Sequence, residues 1–345
     1  MKKHLLLLLS LLGFARWDWA AAATAFPALN RPASILVDDG RIYINDGPVV
    51  YIHRADDYSR IAAFGKAGEG PGEFKVHPNL YRGGVVLRCL DDGLMICSLG
   101  RVSFFSNSGV FISERKSSLF LGIGQFEPFR DGYVGLGVAG DARQQFMVLG
   151  FYDRDFNKRH EFHRLLIFEP GKKIDPVTVG IIPPLYVDGD RIFVLDYEGA
   201  VHGFDAAGRH RISIRPSDIQ EGYRSVPVTE ERREAYLNFF ARDPRYQAQF
   251  EQDRNRLEFP AVLPECRDFR AQGAKVYLFT FRRRGGAHEM IVSDAEGRLL
   301  KEAWIDLREL NPREFAPFAV HEGKLYQLFE DEDDEIWRLH VLDLD

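Results

Sequence analysis

Ile35-Leu36-Val37-Asp38-Asp39-Gly40-Arg41-Ile42-Tyr43-Ile44 is a short apolar run, a turn carrying glycine, and a second apolar run. Asp-Gly between β-rich segments predicts a tight hairpin, because such turns need a positive φ that Gly, Asn and Asp adopt most cheaply. The pattern returns from Val85-Val86-Leu87 to Gly93-Leu94-Met95-Ile96, at Pro128 to Val134, at Leu185 to Val194, through Gly273 to Leu278, and at Phe318 to Tyr326. Six such units describe a repeat protein.

Most units carry a second hairpin. It is clear at Phe105 to Phe111, Phe204 to Arg209 and Ser293 to Arg298, and looser at His53 to Tyr58 and Tyr152 to Lys158. Two hairpins make a four-stranded sheet, and such sheets repeated about an axis make a propeller. Glycines 40, 93, 132, 189, 273 and 323, read as turn residues, are spaced 53, 39, 57, 84 and 50 apart. These intervals predict an all-β six-bladed β-propeller, and the 84-residue gap must hold an insertion.

That insertion reads as helical. Thr229 to Arg242 and Asp243 to Arg256 lack strand alternation and space Tyr236, Phe239, Phe240, Tyr246 and Phe250 in a near-helical pattern. Asp243-Pro244 fits an N-cap followed by Pro at the first helical position. Two helices are therefore expected at about residues 229–256, between blades four and five. The last unit offers only three strands, so residues 24–30 are expected to supply the fourth and close the ring.

Residues 1–23 read as a signal peptide: Lys2-Lys3, an apolar run from Leu5 to Phe14, then the small residues Ala20 to Ala23. The run is too short to span a membrane. Residues 24–345 then form the propeller, expected as a secreted or periplasmic monomer. Removal of residues 1–23 leaves 42 basic and 50 acidic residues, a net charge of −8, which argues against a nucleic-acid partner. The three cysteines do not make a disulfide framework. Cys89 and Cys97 flank Gly93 symmetrically, which leaves either a cross-strand bridge or free thiols open.

Between the first two units stands Phe64-Gly65-Lys66-Ala67-Gly68-Glu69-Gly70-Pro71-Gly72-Glu73-Phe74, followed by Pro78. This segment, with Asp92-Gly93-Leu94-Met95-Ile96 and Gly100 to Phe105, resembles the blade junction of NHL-repeat proteins and related bacterial six-bladed propellers. The match covers Phe64 to Phe111; elsewhere only the strand-and-turn rhythm is shared. Some members of that group are lyases or lactone hydrolases with metal-bound His or carboxylates near the channel, which implies a metal-dependent enzyme using Ca²⁺ or Zn²⁺ as the alternative function. No ligand set maps onto this sequence, so catalytic residues stay unassigned and no cofactor is the leading expectation. The junction lacks the Lys-Ser or Lys-Thr end and following helix of a phosphate loop. Its Gly68, Gly70, Pro71, Gly72, Glu73 and Phe74 read as structural, with Phe74 packed between sheets.

No His-Glu-x-x-His, Cys-x-x-Cys or Gly-x-Ser-x-Gly occurs. His160 and His163, three apart in a strand, are expected on opposite faces. Asp131, Asp188, Asp268 and His321, in or beside inner strands, do not form a metal set. The acidic run Glu330 to Glu335 lacks the spacing of a Ca²⁺ loop and reads as a solvated turn. Arg282-Arg283-Arg284 reads first as another.

Propeller topology gives these segments a shared place. Turns between second and third strands emerge on the same face as the interblade links, and loops on a rigid scaffold are where binding residues concentrate. That face carries Lys66, Glu69, His77, Arg143, Arg282, Arg283, Arg284 and Asp331, and is the expected binding surface for a protein, small-molecule or glycan ligand.

Overall fold

The computed structural model describes residues 23–76, 85–116, 125–141, 143–169 and 171–344. Strand β1 (Thr24–Ala25) precedes blade one, formed by β2 (Pro32–Asp38), β3 (Arg41–Asp46), β4 (Val49–Arg54) and β5 (Arg60–Phe64). Blade two holds β6 (Val86–Leu90), β7 (Gly93–Ser98), β8 (Arg101–Ser106) and β9 (Phe111–Lys116); blade three holds β10 (Phe126–Phe129), β11 (Gly132–Gly140), β12 (Gln145–Tyr152) and β13 (Lys158–Phe168). Blade four holds β14 (Leu185–Asp188), β15 (Arg191–Leu195), β16 (Val201–Phe204) and β17 (His210–Ile214); blade five holds β18 (Cys266–Gln272), β19 (Lys275–Arg284), β20 (Ala287–Asp294) and β21 (Leu299–Ile305). A ribbon of β22 (Glu309–Asn311) and β23 (Glu314–Phe315) leads to blade six, where β24 (Phe318–His321), β25 (Lys324–Glu330) and β26 (Trp337–Asp343) are completed by β1. The protein is a six-bladed β-propeller.

Each blade runs outward from its first strand, and β2, β6, β10, β14, β18 and β24 touch in ring order about the axis. Second strands such as β7 and β15 are buried on both sides, so they read as near-continuous apolar runs rather than alternating ones. In β3, Ile42 and Ile44 pack toward blade six while Tyr43 packs toward blade two. Six such clusters fill the six seams between neighbouring blades.

The first hairpins turn on two residues each. At Asp39-Gly40, Gly273-Ala274 and Glu322-Gly323 both residues have positive φ, the geometry that matches strand twist. Gly93 and Gly132, expected as turn residues, instead open β7 and β11 after Asp91-Asp92 and Arg130-Asp131. A side chain there would strike the carbonyls of Phe105 and Tyr152 on the third strands. The shifted turn also removes the apparent symmetry of the cysteines: Cys89 pairs with Leu94 and Cys97 with Val86. Both are free thiols, and burial pushes each up to about 12.

The link from blade four to blade five is helical: α1 (Pro216–Ile219), α2 (Glu230–Arg242), α3 (Gln247–Asp253) and a 3-10 turn at Arg254–Arg256. Thr229 caps α2, its hydroxyl accepting from the Arg232 amide. Asp243-Pro244 starts a turn in which the Asp243 carbonyl accepts from the amides of Tyr246 and Gln247, and α3 begins only after it. The short α1 carries no repeated apolar spacing that would mark it in the sequence.

Candidate functional site

Turns joining first and second strands meet across neighbouring blades. Arg130 pairs with Asp190 at 2.9 Å, the Asp188 carboxylate accepts from the amides of Gly273 and Ala274, and Gln272 meets His321 at 2.9 Å. These turns define one face of the ring. The interblade links and the turns between second and third strands, at the other strand ends, belong to the opposite face.

On that opposite face three links fuse into a cap. Val177, Val228, Tyr236, Phe240, Leu263 and Phe281 form a seventh apolar cluster, with Phe239, Tyr246, Phe250 and Phe259 around it. These residues come from the links into blades four and five and from the end of β19. Arg313, from the link into blade six, is buried against this cluster, over the rings of Phe240 and Tyr246 at 5.0 and 5.4 Å, and donates to the Val179 carbonyl. The Tyr236 hydroxyl donates to the Pro312 carbonyl at 3.3 Å.

Between α2 and the ribbon β22–β23 lies a pocket of about 420 Å³, lined among others by Arg232, Tyr236, Arg267, Phe281, Arg283 and Glu309. Glu309 takes ion pairs from both Arg267 and Arg283. Burial pushes the Glu309 carboxyl up, but the two guanidiniums outweigh it and hold it below the ordinary range. Arg267 lies over the Phe315 ring at 4.2 Å. Beneath the charges, His288 packs edge-on against Phe315; burial, then the Arg267 charge, pulls it down to about 4. Arg232, at the first turn of α2, makes no ion pair with any described residue; with Glu231 also in the lining, three guanidiniums stand against two carboxylates and the pocket is cationic by one charge.

The expected site residues divide. Arg283 lines the pocket; Arg282 turns instead to Glu289 at 2.8 Å and Gln220 at 2.8 Å, lying over Tyr223 and Trp304. Neither is merely solvated, and Arg284 beside them is exposed at the turn. Arg143 lines a separate depression with Asp141, Gln144, Phe146, Arg164 and Glu169. Lys66 pairs with Glu73 at 3.0 Å and Glu69 with Lys75 at 2.9 Å. Asp331 pairs with Arg338 at 2.7 Å, within the acidic turn's own blade. His77 lies outside the described residues. In the junction, Phe74 is fully buried between blades one and two; Gly70 donates to Glu73, while the carbonyls of Glu69 and Gly70 accept from Arg101. Gly65, at φ +87°, lies where a side chain would strike the Phe74 ring.

Sequence reading passed over Arg232, Arg267 and Glu309. They lie on α2, β18 and β22, far apart in the chain, and no motif joins them.

Along the axis, the polar residues face one another. Arg88 of β6 and Glu127 of β10 form a buried ion pair, and Arg270 of β18 lies over Tyr186 and Phe318 at 5.4 and 3.8 Å. Asp268 is bonded to Arg270 at 2.7 Å, and Asp131, on the rim, to Arg159 at 2.8 Å. Among the described residues no three His, Cys, Asp or Glu side chains converge on one point. The opposite-face reading of His160 and His163 is corrected by a β-bulge. His160 pairs with Phe151 and His163 with Leu149, two apart on β12, so both histidines point to one side of the sheet. They still do not converge: His160 packs on Phe151, and His163 on Phe204 and His202.

No family model matches this sequence, and no curated protein matches it. Solved structures do. The WD40 domain of Neurospora crassa Pan2 is 9% identical over 91% of this chain and 76% of that one, with a TM-score of 0.41. The β-propeller domain of Cps50 (Swd1) from Myceliophteria thermophila is 10% identical over 92% and 97%, with a TM-score of 0.38. BamB from Moraxella catarrhalis is 9% identical over 88% and 70%, with a TM-score of 0.33. No described helix is long and apolar enough to cross a membrane.

Proposed function

We propose that this chain is a secreted or periplasmic propeller of the NHL-like type, acting as a binding module whose capped face takes an anionic group of its ligand. The observation that carries this reading is the pocket between α2 and β22–β23. Three arginines, Arg232, Arg267 and Arg283, line it against two carboxylates, Glu231 and Glu309, Arg232 makes no ion pair with any described residue, and Tyr236 and Phe281 supply apolar walls. A guanidinium with free donors matches a carboxylate in geometry as well as charge. The axial residues favour no metal-dependent chemistry, because Asp188 is engaged with backbone amides and Asp268 with Arg270.

The test uses two labelled probes, an acidic Glu-rich peptide and an acidic oligosaccharide, followed by fluorescence anisotropy. Saturable binding of either probe that weakens at least tenfold in Arg232→Ala supports the reading. Failure of both probes to bind, or equal binding by the variant, overturns it. For localisation, residues 1–22 lie outside the described residues, and the proposal rests on their composition. Expression of the full chain in a Gram-negative host should yield a periplasmic product beginning between Ala23 and Phe26; an uncleaved cytoplasmic product would refute it.

A further inference from the structure

At the seam of blades three and four, away from the pocket, three donors form a small triangle. His202 Nδ1 lies 3.0 Å from Ser213 Oγ and 3.4 Å from His210 Nε2, and Ser213 Oγ lies 3.1 Å from His210 Nε2. His202 is on β16, opposite Ser213 on β17. Alternation would send His210 and Ser213 to opposite faces, since they are three apart. A register shift between Gly203 and Phe204 absorbs one residue of β17 and puts both on the His202 side. The bulge thus assembles the triangle.

The remaining nitrogen of His202 is already committed. Nε2 meets Asp196 Oδ2 at 2.8 Å, while Asp196 Oδ1 accepts from the amides of Glu198 and Ala200. A carboxylate only accepts, so Nε2 carries the proton and Nδ1 presents its lone pair toward the triangle. This is how outer carboxylates hold metal-ligating imidazoles. A third imidazole, His163 of β13, lies with its ring centroid 5.4 Å from that of His202, and its Nε2 is buried without a hydrogen bond.

We propose that His202 Nδ1, His210 Nε2 and Ser213 Oγ form a binding site for a divalent first-row metal of the Zn²⁺ type, with Asp196 as positioning residue. Donors at about 2.0 to 2.1 Å from a tetrahedral metal are about 3.3 Å apart, close to the edges of this triangle. Two imidazoles select Zn²⁺, Ni²⁺ or Cu²⁺ over Ca²⁺ or Mg²⁺. The site is compatible with the absence of any three converging His, Cys, Asp or Glu ligands, because its third donor is a hydroxyl. In the metal-bound form neutral His210 carries its one ring proton on Nδ1, which leaves the Nε2 lone pair for the metal, and water completes the coordination. The metal would tie β17, the outer strand of blade four, to β16.

The experiment is calorimetric titration of the chelator-stripped mature chain with Zn²⁺ alone. One Zn²⁺ per chain is expected, with affinity reduced at least tenfold in His202→Ala and in His210→Ala. Asp196→Asn, which keeps the shape of the turn, should cost about 10- to 100-fold. Absence of stoichiometric uptake, or uptake indifferent to both histidine substitutions, overturns the proposal. Circular dichroism reports whether each variant is folded. If His202→Ala is not, the His210→Ala result decides, because His210 is exposed on an edge strand.

Discussion

Phe74 and His288 show two ways in which a single buried ring ties this ring of sheets together. Phe74 fills the seam between blades one and two beside Tyr43, Leu87, Leu94 and Phe105, and its amide and carbonyl close the junction onto Lys66 and Gly68. Phe74→Ala leaves a cavity that the closed loop resists filling, so denaturant unfolding should show a loss of about 3 to 5 kcal/mol. A loss under 1 kcal/mol would mean that the junction collapses freely. His288 acts through its charge. Burial, then Arg267, holds it at about 4 against 6.5 for a free imidazole, so the folded state disfavours the proton. Its stabilisation is complete above pH 6.5 and declines as the pH falls toward 4, by about 1 to 3 kcal/mol in all. Urea unfolding at several pH values should show this decline, and His288→Gln should flatten it by up to one proton; an unchanged slope would place the titration elsewhere.

At the scale of elements, the cap is an addition to the ring with its own small core. Tyr236 joins α2 to the link into blade six through its buried ring and its bond to Pro312. Tyr236→Ala should therefore release the cap by about 3 kcal/mol while the blades keep their own seams. Hydrogen exchange would show faster amides in α2 and α3 and unchanged amides in β19 and β20; uniform acceleration would mean that the cap and blade unfold together. The same division explains what was legible in the sequence. Blade strands announce themselves because second strands such as β7 and β15 are largely apolar and most first hairpins turn on Gly or Asp. The helices show in their aromatic spacing and in the length of the 84-residue gap. The pocket does not show, because Arg232, Arg267 and Glu309 come from α2, β18 and β22, far apart in the chain, and meet only once the ring has closed. The histidines are hidden for another reason. Bulges in β13 and β17 break the two-residue period on which face assignment depends.

For the whole molecule, closure rests on a very short strand. β1 pairs with β26 through only Thr24 and Ala25, extended by the Phe26 amide donating to the Trp337 carbonyl at 2.7 Å. The following residues strengthen this seam from both sides: Phe26 and Leu29 are buried between blades six and one, and the Trp337 indole donates to the Asn30 carbonyl at 3.0 Å. Across the seam, the amides of Asn30 and Arg31 donate to Asp46 of blade one at 2.7 Å. Closure is thus as much side-chain packing as strand pairing. A chain lacking residues 24–30 would expose the edge of β26 and leave Trp337 uncovered, so blades six and one should separate before the rest. Thermal unfolding should broaden from one transition into two, with tryptophan fluorescence reporting the earlier. Phe26→Ala alone should lower the single transition without splitting it, because the strand pairing remains. If the deletion variant unfolds in one transition at the original temperature, the ring is held shut by its other five seams and β1 is dispensable.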